Sequence, residues 1–385
     1  MNVLFLFESI LPPSYHSKTL SPGELRVIAA QKAVKCVYAL GRSGKSFYNT
    51  STKNPTKTKL ENKVHLVHIN GFDHSLWYYF AGILLFVKGY FFLRTHKVSI
   101  IHAESPHISG PVAAALGKLF SIPVIVEFRT TYDEILKNRF KFIPVFLKKF
   151  VFNTISSFSF NNADLVAANS KTYALVLSKK FPGKLVAFYN PGVKPSKLVK
   201  TIRKNITIGF LGRLYPDKGP IYLLRAVDLV QKELRQAKAR VLIAGDGPER
   251  SLLEEFVKTH NLKGLVKFPG TMQRWDFLSQ IDILVNPNII FSALEMVNIE
   301  AGSFSIPTVC FGDKQYPETV VHNKTGIVVK NKDVPALAKA IIALVDDNTF
   351  VQKLGRAAKK HSETFYSFKI QVSNLKKIYQ TLKLS

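Results

Sequence analysis

The sequence predicts an α/β protein built as two Rossmann-like domains around a cleft. Three observations lead there. Short apolar runs of strand length alternate with longer helical segments along nearly the whole chain. The alternation breaks once, in the basic, apolar-poor stretch Lys194 to Asn205, and then restarts. At 385 residues the chain is also longer than one hydrophobic core ordinarily serves.

Met1 to Glu8 reads as a first strand, because it lacks the basic start of a signal peptide and meets an acid within its first residues. Pro12 to Thr19 is a polar loop, Gly23 to Ala33 a helical pattern, and Lys35 to Leu40 a second strand. Residues 42–63, rich in Lys, Ser, Asn and Thr, form an insertion before the strand Val64 to Ile69. Leu76 to Leu93 is apolar almost throughout and approaches the length of a membrane span. Lys88 within it, and the strand rhythm resuming at Val98, favour a buried or membrane-facing helix over a crossing one. Strands Val98 to His102 and Val124 to Glu127 flank a small-residue helix, Gly110 to Leu119.

Leu136 to Phe152 interleaves Lys137, Arg139, Lys141, Lys148 and Lys149 with Phe140, Phe142, Phe146, Phe150 and Phe152. That mixture suits a membrane-surface helix, with Lys148 among its attaching charges. A groove for single-stranded nucleic acid, or a core face backed by a solvated basic face, are the alternatives. Asp164 to Ser170 and Lys184 to Tyr189 supply two more strands. After the break come Ile206 to Leu211, Arg240 to Gly245, Val266 to Phe268, Ile283 to Val285, Thr308 to Phe311 and Gly326 to Val329.

Lys and Arg number 54 against 26 acids, a formal charge of +28, which favours an anionic partner: nucleic acid, an anionic membrane or a phosphorylated substrate. The two cysteines, Cys36 and Cys310, match no metal or redox spacing and suit a reducing compartment. No G-x-G-x-x-G fingerprint, P-loop, D-x-D pair or nucleophile elbow occurs, which argues against a common dehydrogenase or P-loop NTPase. No recognisable nucleic-acid module accompanies the charge, so nucleic acid is not the expected partner.

Ile206 to Gly219 organises the second half. An apolar strand runs into Gly212 and Arg213, Lys218 follows, and a helical run begins after Gly219. A strand, a glycine turn and a helix N-terminus make an anion site. Arg213 offers a planar fork to phosphate oxygens and Lys218 a compact charge, a pair that suits a diphosphate. A loop with two solvated cations is the alternative.

The order of segments resembles the GT-B glycosyltransferases, specifically the retaining family four. Gly209-Phe-Leu-Gly-Arg213 with Lys218-Gly219 resembles the family's G-R-x-x-x-x-K-G diphosphate site, and Ala244-Gly-Asp-Gly247-Pro its G-x-G-P turn. Asp282 to Pro287 is similar to the strand before its catalytic loop, and Ser292 to Ala301 to its E-x-F-G-x-x-x-x-E-A motif. Ile306-Pro-Thr-Val, Pro317-Glu318 and Gly326 are similar to later family elements. In the first half the resemblance rests on Ile100-Ile-His102-Ala, Ile122 to Arg129, Ala163 to Ser170 and Asn190 to Val193.

The resemblance implies a glycosyltransferase that moves a sugar from a nucleotide-sugar donor, with retention and without metal or cofactor, to a lipid-linked or cell-surface polysaccharide or glycolipid acceptor. It implies an acceptor-side domain over 1–195, a donor domain over 196–365, and a helix over 366–385 that packs back on the first domain. Arg213, Lys218 and Glu300 are the implied catalytic residues, the cations meeting the diphosphate and Glu300 the ribose. Gly212, Gly247, Ser292, Glu295, Met296 and Val297 are implied at the donor. Lys18, His102, Glu127 and Arg129 are implied on the acceptor side, where Arg129 would bind an acceptor phosphate or pair with Glu127 or Asp133. With the basic charge, the expected setting is cytoplasmic and peripheral, on an anionic inner membrane face.

Four places depart from the pattern, one of them Arg129, where the family commonly has a histidine and some branches a Glu-x-Arg that Glu127-Phe-Arg129 resembles. In the other three the family's first glutamate falls on Ser292, Glu295 replaces a small residue, and Ser14 to Thr19 replaces a glycine pair. Ser292 and the altered first loop support the alternative of a catalytically degenerate GT-B-like binding or partner subunit.

Overall fold

The computed structural model describes residues 1–10, 28, 31–42, 63–69, 74–129, 144–184, 186–188, 190, 192–193, 205–290, 294–312 and 318–384. They fall into two compact units, Met1–Gly192 with Phe368–Ser385, and Val193–Ser367.

The first unit holds a parallel sheet of β1 (Asn2–Ile10), β2 (Cys36–Arg42), β3 (Val64–Ile69), β4 (Ile100–Ala103), β5 (Val124–Phe128), β6 (Leu165–Ala168) and β7 (Val186–Phe188). Their spatial order is β3-β2-β1-β4-β5-β6-β7. The strands are apolar at consecutive positions because both faces are covered. Alternate residues point to opposite faces. Val3, Phe5, Ile100, Ile125 and Leu165 pack with Leu375, Ile378 and Leu382 of the C-terminal helix, Phe368–Leu384. The opposite face carries α1 (His74–Thr95), α2 (Ser109–Phe120), α3 (Val145–Asn161) and α4 (Lys171–Lys180). Leu40 and Leu116 border Gly89 of α1, and Val124 borders Gly117 of α2.

The second unit holds β8 (Thr207–Leu211), β9 (Arg240–Ala244), β10 (Val266–Gly270), β11 (Ile283–Asn286), β12 (Thr308–Phe311) and β13 (Gly326–Val329), parallel and ordered β10-β9-β8-β11-β12-β13. Its helices are α5 (Pro220–Leu229), α6 (Gln231–Gln236), α7 (Arg250–Thr259), α8 (Arg274–Gln280), α9 (Met296–Ser303), α10 (Val334–Val345) and α11 (Asn348–Tyr366). Ile208, Phe210, Val241, Ile243 and Val285 face one core, while Ala244 and Leu284 face a second with Phe277, Ile281 and Ala301. Asp333 and Asp347 cap α10 and α11 by accepting from the N–H groups of Ala336 and Phe350, both at 2.9 Å.

In each sheet the strand order reverses direction once, between β1 and β4 and between β8 and β11. Loops at the carboxyl ends of such neighbours diverge and leave room for a ligand.

The fold matches the expected α/β class, with one side-chain correction. Lys148 is 4% exposed, so it is not one of the attaching charges expected on that helix. Helical periodicity puts it on the inward stripe with Ser156 and Ser159, while Phe146 and Phe150 point outward. Lys137, Arg139, Phe140, Lys141 and Phe142, the helical pattern at Gly23 to Ala33 apart from residues 28 and 31–33, and most of the 42–63 and 194–205 stretches lie outside the described residues. Among the described residues no helix is long and apolar enough to cross a membrane, α1 included.

Candidate functional site

In the second unit the turns after β8, β9 and β11 are packed backbone to backbone. Gly212 N–H donates to the Ala244 carbonyl at 3.1 Å, and Leu214 N–H to the Asp246 carbonyl at 2.9 Å. Gly245 has φ +140, and a Cβ there would sit 1.8 Å from the Gly212 carbonyl oxygen. At Gly219, with φ +66, a Cβ would meet the Pro287 carbonyl oxygen at 2.1 Å. Only glycine satisfies both the left-handed backbone and these approaches. Ile289 N–H donates to the Asp217 carbonyl at 3.0 Å, joining the β11 loop to the short 3-10 turn Pro216–Lys218.

That scaffold sets the charged groups. Lys218 Nζ lies 4.0 Å from Glu295 Oε1, and the same oxygen accepts from Asn288 Nδ2 at 2.5 Å. Glu295 is the N-cap residue of α9, so Met296 and Val297 open the helix with N–H groups that lack intrahelical acceptors. Their position at a dipole's positive end favours an anion. Arg213 turns elsewhere: it stacks over the Tyr215 ring at 4.8 Å and lies 3.9 Å from Asp217 Oδ2. Asp217 and the loss of solvation together raise the carboxyl of Glu249 above its usual range, with burial the larger cause. Gly247 is held against Leu214, whose carbonyl oxygen would be 2.4 Å from a Cβ.

Glu300 projects from the middle of α9 into a buried setting, 3% exposed, and pairs with the Arg274 guanidinium at the start of α8. Burial pushes its carboxyl up to about 7, and the Arg274 charge and hydrogen bond oppose that rise. Trp275 stacks flat on Phe304 at 5.7 Å, which fixes the entry of α8 against the end of α9. Asn286 Nδ2 donates to Asn298 Oδ1 at 2.9 Å, and Asn298 Nδ2 to Thr319 Oγ1 at 3.1 Å, tying α9 to the end of β11. Arg274, Asn288, Asp217 and Asn298 are not marked by the local sequence, since each is defined by a partner in another segment.

In the first unit His102, Glu127 and Arg129 do come together, at the carboxyl ends of β4 and β5. His102 Nε2 lies 2.9 Å from Glu127 Oε1, with both side chains buried. Arg129 Nε donates to Glu127 Oε2 at 2.5 Å, and a second carboxylate, Glu104, takes an Arg129 terminal nitrogen at 3.2 Å. The Phe5 ring lies tilted against His102 at 4.9 Å and beneath Arg129 at 5.9 Å. Of the two pairings open to Arg129 the structure has Glu127, while Asp133 lies outside the described residues, as do Lys18 and Ser292. Glu104 is the residue the sequence reading missed. It lies just beyond β4, and nothing local announces its arginine. Among the described residues no three His, Cys, Asp or Glu side chains are grouped as metal ligands.

Comparison with known proteins adds two family matches. The model described as Glycosyl transferases group 1 matches residues 196–361, and that described as Glycosyltransferase Family 4 matches residues 36–196. The chain is 25% identical over 293 residues to the sulfoquinovosyl transferase of Arabidopsis thaliana, covering 70% of this chain and 54% of that protein. It is 29% identical over 178 residues to the GDP-mannose-dependent monoacylated alpha-(1-6)-phosphatidylinositol monomannoside mannosyltransferase of Corynebacterium glutamicum, covering 44% of this chain and 45% of that protein. The chain thus spans about half the length of these curated relatives. The structure of HepE from Anabaena in complex with UDP superposes with a TM-score of 0.73 at 17% identity, covering 100% of both chains, a likeness of fold.

Proposed function

The chain belongs to the GT-B glycosyltransferases, and from that membership we propose that it transfers a sugar from a nucleotide-sugar donor to a lipid-linked or cell-surface glycan acceptor. The transfer is proposed to retain anomeric configuration and to need no metal ion. The observation that carries the donor half is the meeting of Lys218, Glu295 and the start of α9 beside the glycine-packed turns of the second unit. The donor's glycosidic bond breaks through an oxocarbenium-like state while negative charge gathers on the leaving diphosphate. Lys218 and the N–H groups of Met296 and Val297 stabilise that charge, one preorganised contact of this kind being worth ~3 kcal/mol, and Arg213 joins them on leaving its stack over Tyr215. Gly212 and Gly247 let the diphosphate approach the backbone. Glu300 accepts from the ribose hydroxyls, and Glu295 stands in for the carboxylate that Ser292 lacks.

The acceptor half is assigned to the first unit, around His102, Glu127 and Arg129. The Corynebacterium relative is named for a phosphatidylinositol monomannoside acceptor, and the +28 charge of this chain agrees with an anionic lipid setting. On this reading the protein works from the cytoplasm at the inner face of the cell membrane.

Thermal shift with a panel of nucleoside diphosphates and their sugars, on wild type and Arg213→Ala, tests the donor site. Stabilisation by one nucleotide that is lost in the variant is expected. No shift with any member would overturn the donor assignment and leave a degenerate binding subunit.

A further inference from the structure

Among the described residues, the outer face of the first unit's helical layer is the largest concentration of exposed apolar side chains. On α1 the buried stripe is Ala81, Leu85, Gly89 and Leu93, and on the opposite side Ile83, Val87 and Phe91, with Phe80, face solvent. Ile83 is 63% exposed. On α3 the outward side presents Phe146, which is 75% exposed, with Leu147, Phe150, Val151 and Phe158. These helices are joined through α2: Tyr90 of α1 meets Phe120 at 5.6 Å, and Gly110 of α2 is closed against Ser159 of α3. Phe128 of β5 contacts both Phe160 of α3 and Tyr173 of α4, which puts α4 on the same side of the sheet. Leu119 of α2 and Leu175 and Val176 of α4 are exposed as well.

The charge on this layer has one sign. None of the four helices contains an Asp or Glu, while Lys88, Arg94, Lys118, Lys149, Lys171, Lys179 and Lys180 are exposed on them. An ordinary solvated helical face carries both signs or few large apolar groups. A second copy of this chain would bring two cationic faces together without an acid to pair them. A nucleic acid would match the cations but leave the aliphatic and aromatic groups uncovered.

We propose that the outward face of α1 to α4 docks on an anionic lipid bilayer, its Phe, Ile and Val side chains entering the interface and its lysines meeting the headgroups. The proposal rests on the membrane-bound acceptor reading and names the surface that holds the protein there. The sequence offered Leu76 to Leu93 as a buried or membrane-facing helix and residues 136–152 as a surface helix with Lys148 and Lys149; the structure withdraws Lys148, keeps Lys149 and joins the two helices in one layer.

The test is sedimentation of the full chain with vesicles of phosphatidylcholine alone or mixed equally with phosphatidylglycerol, with nucleotide-induced thermal shift recorded on the same samples. Wild type should pellet with the mixed vesicles and not with phosphatidylcholine alone. Lys88→Gln and Lys149→Gln should each weaken partitioning about fivefold. Phe146→Ser with Phe150→Ser, and Ile83→Ser with Phe91→Ser, should each abolish pelleting while melting and nucleotide shift stay as in wild type. Undiminished pelleting of both serine pairs overturns the proposal. So does an oligomer in analytical ultracentrifugation that the serine pairs dissociate, or binding to duplex DNA that they weaken. Loss of the nucleotide shift in wild type would instead count against the donor site and leave the docking result standing.

Discussion

Arg274 and Glu300 lie 26 residues apart and form one ion pair, with the arginine opening α8 and the carboxylate inside α9. The glutamate side chain is 4% exposed, whereas more than half of the arginine side chain is in solvent. Burial is what raises this carboxyl above its ordinary range. The guanidinium opposes that and brings the group to about 7. The candidate ribose ligand therefore titrates at working pH, under the control of a residue on another helix.

Removing that control should move the titration upward. An ionised carboxylate accepts from two hydroxyls at once with charge assistance, and protonation turns one of its oxygens into a donor, so donor affinity in wild type should fall as pH drops through about 7. Loss of a neighbouring opposite charge changes an acidity by about tenfold or more. Arg274→Ala should then bind donor roughly fivefold more weakly at pH 7 and recover at higher pH. Calorimetric titration across the pH range checks this, and a pH profile identical to wild type would refute it.

Stability should respond to the same group with the opposite sign. The folded-state value of Glu300 lies above its ordinary 4.5, so the unfolded chain releases the proton first as pH rises. The folded state therefore loses about 3 kcal/mol between roughly pH 4.5 and pH 7. Glu300→Gln, which has no proton to lose, should melt several degrees above wild type at pH 8 and close to it at pH 5, while losing donor affinity. Melting curves at the two pH values decide the matter.

Lys218→Ala should lower turnover about a hundredfold, the effect of one lost contact to a developing oxyanion. Melting should change little, since Lys218 is a partly exposed residue 4.0 Å from its glutamate. Initial rates with saturating donor measure it; wild-type turnover would remove Lys218 from the diphosphate site.

Gly245→Ala should disturb the site without touching a charged group. The new Cβ would overlap the Gly212 carbonyl oxygen at 1.8 Å, at a φ of +140 that L-residues rarely adopt. A cost of about 2 kcal/mol or more follows. The denaturant midpoint should fall, and nucleotide-induced stabilisation should shrink because the turns after β8 and β9 no longer pack.

In the first unit, Glu127→Ala should cost about 3 kcal/mol or more by leaving Arg129 and His102 without their shared buried carboxylate. Glu104→Ala breaks a more exposed contact and should cost about 1 kcal/mol or less. Urea midpoints of the two variants should separate accordingly, and equal losses would show that Glu127 does not hold the cluster.

Strand positions were legible because a parallel strand buried on both faces needs a continuous apolar run, as Ile208 to Leu211 and Val124 to Val126 show. Helix direction was harder. The apolar run of α1 and the mixed run of α3 each supply side chains to both sides. Only tertiary packing decided that Ala81 and Lys148 turn in while Ile83 and Phe146 turn out.

The sequence by itself determined the two sheets, the glycine turns and the identity of the cations, since these follow from backbone sterics and local patterning. Tertiary structure alone decided the pairings: Arg274 with Glu300, Lys218 with Glu295, Glu104 with Arg129. It also decided that Arg213 rests on Tyr215, and that four helices without an acid share one outer face. Such contacts join residues whose neighbours in the chain hold no record of one another. A charge becomes a site only where the fold sets its partner and its distance from water.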